Sequence, residues 1–260
     1  MKLAKLAVWL ASIIVCANAV SGTEIPPDQR RSGFEFMSPQ TQAMQRDDTL
    51  NPGMLWTADG ATQWARKAGT ADKSCTDCHG DAATSMKGVA ARYPAFDAQE
   101  NRPVDLQDRI NACRVRHQQA EKLPYESPTL LGLVTFVANQ SRGMAIAPGA
   151  DERLTPFRER GKALFETRMG QLNFSCAQCH DDRWAERLGS SPIPQAHPTG
   201  YPIYRLEWQA LGSLQRRFRN CLFGVRAEPF AYGAQEYIDL ELYLMERAKG
   251  LPVETPAVRP

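Results

Sequence analysis

Three stretches of the chain are apolar enough to set structure on their own. Behind Lys2 and Lys5 runs Leu6 to Val15, followed by the small-residue triplet Ala17-Asn18-Ala19. That order predicts an export signal over residues 1–19, cut after Ala19, and the run falls short of the roughly 18 apolar residues a membrane span needs. No later stretch reaches that length, so no membrane span is expected. The other two stretches follow helical spacing. Leu130, Leu131, Val134, Phe136 and Val137 close near Arg142-Gly143, and Tyr237, Leu240, Leu242, Tyr243 and Leu244 close near Lys249-Gly250. Each predicts a core helix stopped at a glycine. Eighteen prolines and eighteen glycines in 260 residues predict short helices and long connections, not a β-sandwich. The expected class is mainly α.

Charge adds little. Cleavage after Ala19 would remove Lys2 and Lys5 and no acid, lowering the formal charge from +2 to zero. No basic face is expected and no nucleic-acid partner. Cys16 would leave with the signal; Val15 stands where a lipoprotein site carries a small residue, so lipidation is not expected.

Six cysteines then remain. Four lie in Cys75-Thr76-Asp77-Cys78-His79 and Cys176-Ala177-Gln178-Cys179-His180. Each is C-x-x-C-H, the attachment pattern of c-type haem: two thiols add across the vinyl groups, and the next residue, His79 or His180, is carried under the iron. A redox dithiol would sit after a strand in a βαβ pattern, and zinc would need paired half-sites close together. Neither pattern is present. Two covalently bound haem c groups are expected.

Aligning the two motifs exposes a duplication. Tyr93-Pro94 and Leu106-Gln107-Asp108-Arg109-Ile110-Asn111-Ala112-Cys113 follow the first. Tyr201-Pro202 and Leu214-Gln215-Arg216-Arg217-Phe218-Arg219-Asn220-Cys221 follow the second. The spacing from the proline to the lone cysteine is 19 residues in both copies. The second copy carries about seven extra residues between His180 and Tyr201. The division expected is an N-terminal extension over 20–55, a first cytochrome c domain over 56–147, a linker over 148–156, a second domain over 157–250 and a tail over 251–260.

Three roles are open to Cys113 and Cys221: a disulfide between them, inert burial, or distal ligation of iron. Equivalent places in two copies favour one ligand per haem. Met86, Met144 and Met169 have no matching partners across the repeat. His117 answers to Val225, and His197 lies in the insertion. A thiolate ligand lowers the reduction potential and stays nucleophilic near neutral pH. Arg217 stands one helical turn before Cys221 and shares its face, and guanidinium forks bind oxyanions. Arg109 has the same offset from Cys113; the second copy differs in adding Arg216 and Arg219, which could instead answer haem propionates or water.

These residues resemble the SoxA family, the larger subunit of the SoxAX cytochromes of bacterial thiosulfate oxidation, in its dihaem form. The likeness rests on both C-x-x-C-H motifs, the two lone cysteines, the Arg-Asn-Cys stretch, and the segment from Phe36-Met37-Ser38-Pro39 to Thr49-Leu50-Asn51-Pro52-Gly53-Met54-Leu55-Trp56. It implies a periplasmic L-cysteine S-thiosulfotransferase that joins thiosulfate to a cysteine of a SoxYZ-like sulfur carrier and passes electrons to cytochrome c. It implies axial pairs His79 with Cys113 and His180 with Cys221, a catalytic Cys221 able to carry a persulfide, a substrate-contacting Arg217, and a SoxX-like monohaem partner. The competing expectations are a non-catalytic dihaem electron carrier and a dihaem peroxidase.

Overall fold

The computed structural model describes residues 25–260. The expected signal and Cys16 lie outside the described residues. Ten α-helices and seven short strands follow in order among them. Helices dominate, as the apolar spacing predicts.

Each copy of the repeat is built on one long helix pair. In the first, α2 (Gly53–Ala65) packs on α6 (Pro128–Asn139); in the second, α7 (Thr155–Glu166) packs on α10 (Gln235–Arg247). A glycine sets the distance in both. A Cβ added to Gly60 would lie 2.1 Å from the Gly132 carbonyl oxygen, and one added to Gly161 would lie 2.0 Å from that of Asp239. Any side chain there would force the pair apart. Pro128 opens α6 without wasting an amide, and Ser127 caps it by accepting from the Leu130 N–H.

The apolar patterns read from sequence are the core. Leu130, Leu133, Val134 and Val137 join Trp64 and Leu106 in one cluster; Tyr237, Leu240 and Leu244 join Phe165, Leu214, Phe218 and Leu222 in the other. Both helices end earlier than the sequence suggests, at Asn139 and Arg247. Three further residues turn before Gly143 and two before Gly250, and these glycines take φ of +80° and +90°. A third cluster of Ala91, Ile146, Met245, Ala248 and Val253 joins the copies.

Between the helices run the C-x-x-C-H helices α3 (Cys75–His79) and α8 (Cys176–His180), a short α4 (Ala82–Ser85), and the lone-cysteine helices α5 (Leu106–Cys113) and α9 (Leu214–Gly224). Each lone-cysteine helix is preceded by a hairpin of the same register. β1 (Ala95–Asp97) pairs with β2 (Arg102–Val104), Ala95 opposite Val104; β5 (Ile203–Arg205) pairs with β6 (Ala210–Gly212), Ile203 opposite Gly212. The insertion of the second copy holds a small hairpin, β3 (Arg187–Leu188) and β4 (Ser191–Pro192).

The segment expected as a tail carries β7 (Ala257–Arg259), which lies parallel to β5 and completes a three-stranded sheet. It also reaches the extension, where α1 (Pro39–Arg46) lies: the Asn51 amide donates to the Pro256 carbonyl at 2.9 Å, and the Val258 N–H donates to Gln45 Oε1 at 3.1 Å. Where the copies meet, a cavity of about 70 Å³ is lined by the equivalent pairs Tyr93 and Tyr201, Leu106 and Leu214, and by the carboxylates Asp105 and Glu241.

Candidate functional site

The two C-x-x-C-H helices owe their start to a residue outside the motif. Ser74 and Ser175 cap them, and the third motif residue closes the box: the Ser74 N–H donates to Asp77 Oδ2 at 2.8 Å, and the Ser175 N–H to Gln178 Oε1 at 3.0 Å. Five residues cannot hold a helix by propensity alone, so the reciprocal cap matters most here.

A second device sets the lone cysteine opposite the pair. The chain before each motif turns at a glycine, Gly69 (φ +67°) or Gly170 (φ +70°). There it bonds the chain beyond the lone cysteine: Ala71 N–H to the Gln118 carbonyl at 3.2 Å, and Leu172 N–H to the Val225 carbonyl at 3.3 Å. The result is that Cys113 stands close enough to Cys75 to raise its thiol, and Cys221 does the same to Cys176 and Cys179. Burial is the larger cause, pushing Cys75 up to about 11 and Cys176 up to about 12. None of the six described cysteines is in a disulfide, so Cys113 and Cys221 do not form the one that the sequence left open.

The surroundings of the two lone cysteines differ. Arg109 Nε donates to the Tyr93 hydroxyl at 3.0 Å, and its Nη1 pairs with Asp97 at 3.1 Å; Arg116 pairs with the same carboxylate at 2.8 Å. Asp97 is 2% exposed. In the second copy Arg217 is drawn to Cys221 first and to Tyr201 and Glu207 next, the cysteine raising its pKa against the cost of burial. Arg216 and Arg219 are spoken for elsewhere. Arg216 lies over the Trp208 ring at 4.2 Å, while Arg219 donates to the Phe230 carbonyl and lies over Tyr232 at 4.7 Å. Of the three arginines before Cys221, one faces it.

The histidines differ as well. His79 is exposed, its ring 5.6 Å from that of Trp64, whose indole N–H donates to the Gly80 carbonyl at 3.2 Å. His180 is held by the insertion: its Nδ1–H donates to the Pro194 carbonyl at 2.6 Å, which leaves Nε2 for a metal. Burial keeps its imidazole neutral, pushing the pKa down to about 4. Beside it the buried pair Asp181–Arg247 ties α8 to α10.

Two further residues of the insertion tie it to the extension. Gln195, fully buried, accepts from the Arg31 N–H at 2.7 Å and donates to the Gln29 carbonyl at 3.1 Å; His197 donates to the Arg31 carbonyl at 2.7 Å. Met86 and Met169 pack on the two cores, and His117 is exposed. Sequence reasoning missed two residues at the site, Tyr201 and Arg205, each close enough to feel both Arg217 and Cys221. Tyr201 served only as a marker of the repeat, and Arg205 becomes visible by carrying the offset of the lone cysteines back to position 97.

Comparison with known proteins agrees with this architecture. The family described as SoxA/TsdA, cytochrome c domain, matches residues 59–146 and 160–253. The L-cysteine S-thiosulfotransferase subunit SoxA of Pseudaminobacter salicylatoxidans is 40% identical over 90% of this chain and 82% of its own length. That of Rhodovulum sulfidophilum is 36% identical over 89% and 81%. The crystal structure of SoxXA from P. pantotrophus contains a chain that superposes with a TM-score of 0.85 at 34% identity, covering 89% of this chain and 87% of that one. The chain belongs to the SoxA family of c-type cytochromes.

Proposed function

We propose that this chain, as an L-cysteine S-thiosulfotransferase subunit, conjugates thiosulfate to a cysteine of a SoxYZ-like carrier at Cys221, in the periplasm, beside a SoxX-like monohaem subunit. The single observation that carries the choice of Cys221 over Cys113 is the state of the neighbouring arginine. Arg109 is spent on the buried Asp97, whereas the strongest pull on Arg217 is that of Cys221 itself.

The residues fit two haem c groups. Cys75 with Cys78, and Cys176 with Cys179, would carry the thioethers; His79 with Cys113, and His180 with Cys221, would supply the axial atoms. His180 presents a neutral ring with its Nδ1 already engaged. Leu172, Phe174 and Phe223, 44–57% exposed, flank Cys176 and Cys221 and offer an apolar wall to a flat macrocycle. The group supplies one-electron oxidation when bound.

The overall change joins a carrier thiol and thiosulfate through a new S–S bond, releasing one proton and two electrons, which pass on to cytochrome c. Cys221 sulfur would bond to the terminal sulfur of thiosulfate as the two electrons leave, and the carrier thiolate would then take the S–SO3 group, breaking that bond and returning the Cys221 thiolate. Arg217 would fix the sulfonate end by charged hydrogen bonds and lower the repulsion between that dianion and the cysteine sulfur. Tyr201, half-buried and near Arg217, would close the apolar side.

Replacing Cys221 with Ser tests this. Thiosulfate-dependent cytochrome reduction with the carrier present should fall by at least a hundredfold, while Cys113→Ser should leave a substantial fraction. Equal losses, or survival in Cys221→Ser, would assign the chain to non-catalytic electron transfer. The intact mass of the purified protein should show two haems.

A further inference from the structure

The repeat brings one pair of opposite charges into correspondence. Asp97 ends β1 and Arg205 ends β5, in hairpins of the same register, so the two positions are structurally equivalent. Beside Cys113 the pocket therefore holds Arg109 and Arg116 against Asp97, with Glu100 on Arg116 at 2.8 Å. Beside Cys221 it holds Arg217 against Arg205, and the position of Arg116 is taken by Gly224. The buried carboxylate has been replaced by a second guanidinium.

Arg205 is not tied up as Arg109 is. Its Nη2 meets Glu207 at 2.9 Å, but that acid is 64% exposed, whereas Arg205 is 13% exposed. A carboxylate so open to water binds weakly and yields to competition. The Nε donates to the Pro260 carbonyl at 2.8 Å, and the Trp208 ring lies 5.1 Å away, so the side chain is aimed and supported on one edge. Arg259, also near Tyr201, is paired with Glu254 at 3.3 Å. Arg205 lies close enough to Arg217 to feel its charge, and both feel Cys221. Two half-buried like charges held together without a buried acid repel until an anion arrives.

We propose that Arg205 is a second anion-binding residue of the Cys221 site, sharing the sulfonate oxygens of thiosulfate with Arg217. This rests on the reading of Cys221 as the thiosulfate site and names the residue that makes the second copy fit for a dianion and the first copy unfit. Asp97 fills in the first copy the place the sulfonate takes in the second.

The test uses the haem-loaded protein with its partner and three variants, Arg205→Lys, Arg205→Gln and Arg205→Asp, with steady-state kinetics and calorimetric titration of thiosulfate. Arg205→Gln should raise KM for thiosulfate about ten- to a hundredfold with kcat changed less, since a bond between charged partners is lost. Arg205→Asp should be worse, because it rebuilds the Asp97–Arg109 pair and ties Arg217. Arg205→Lys should retain most of the affinity, and calorimetric affinity should fall in the same order. If the variants lose thermal stability while KM and calorimetric affinity stay native, Arg205 is only a prop for the chain end and the inference fails. If Arg205→Asp binds thiosulfate as the native protein does, it fails outright. A native protein that neither binds nor turns over thiosulfate overturns the underlying reading instead, and this inference with it.

Discussion

Arg109 and Asp97 meet at 3.1 Å, with the carboxylate all but sealed from water. Burial alone would raise the Asp97 carboxyl; the Arg116 guanidinium, the Glu100 and Gln99 amides and the Arg109 charge outweigh it and hold it at about 2. The pair is a structural lock on the first copy, and its pH behaviour follows. An acid with a folded pKa below its unfolded value near 3.8 contributes fully above that value and loses its contribution as pH falls toward 2. Asp97→Asn should therefore cost on the order of 2 kcal/mol at pH 7, by urea unfolding, and the difference from the native protein should shrink between pH 4 and pH 2. A gap independent of pH across that range would show that packing, not charge, is what Asp97 supplies.

Asp105 runs the opposite way. It is buried where the copies meet, accepts from Gln215 Nε2 at 2.9 Å across the junction, and faces Asp108, Gln107, Tyr125 and Glu241. Burial first and Asp108 next raise its pKa, so the folded state holds the proton more tightly than the unfolded chain. Stability is then lost as pH rises from the unfolded value toward the folded one. Asp105→Asn should gain ground on the native protein by about 1–3 kcal/mol between pH 4 and pH 8. Thermal melts at the two pH values would check it, and a constant offset would refute it.

Gly161 packs α7 on α10 through bare backbone. Gly161→Ala should destabilise the second copy by about 3 kcal/mol, since its Cβ would sit 2.0 Å from a carbonyl oxygen that no rotamer change can move. Gly60→Ala should do the same to the first. Melting temperatures that hold in either variant would mean the helices slide apart at no cost.

Gln195 is the seam between the insertion and the extension. Gln195→Ala strands the Arg31 N–H and the Gln29 carbonyl, and should cost about 2–4 kcal/mol. Limited proteolysis should then cut within residues 25–38 well before the rest of the chain. Retained resistance there would place the seam elsewhere.

The fold and most of the site were legible because the sequence repeats itself. The matched spacing of Pro94 to Cys113 and Pro202 to Cys221 located two equivalent helices, and the apolar spacing around Leu130 and Leu240 located the cores. What escaped lay outside any periodicity. Ser74 and Ser175 are invisible as caps until the motif is seen to start a helix at its first cysteine. The insertion looked like a loop with one odd histidine; its role is carried by a backbone carbonyl, that of Pro194, which no side-chain pattern reports. The tail carried no periodic signal, yet β7 supplies a sheet edge whose partner, β5, lies some fifty residues upstream. Arg205 was readable in principle, but only by comparing the copies for residues that differ, whereas the search for a repeat looks for those that agree.

The bonds between the extension and the tail join residues more than two hundred positions apart: Gln45 with Val258, and Asn51 with Pro256. Contacts of such separation carry the largest loop-closure cost and form after the local ones. The extension is therefore seated late. The strand that seats the extension, β7, lies beyond both copies of the repeat, so that seam can close only after both have been made.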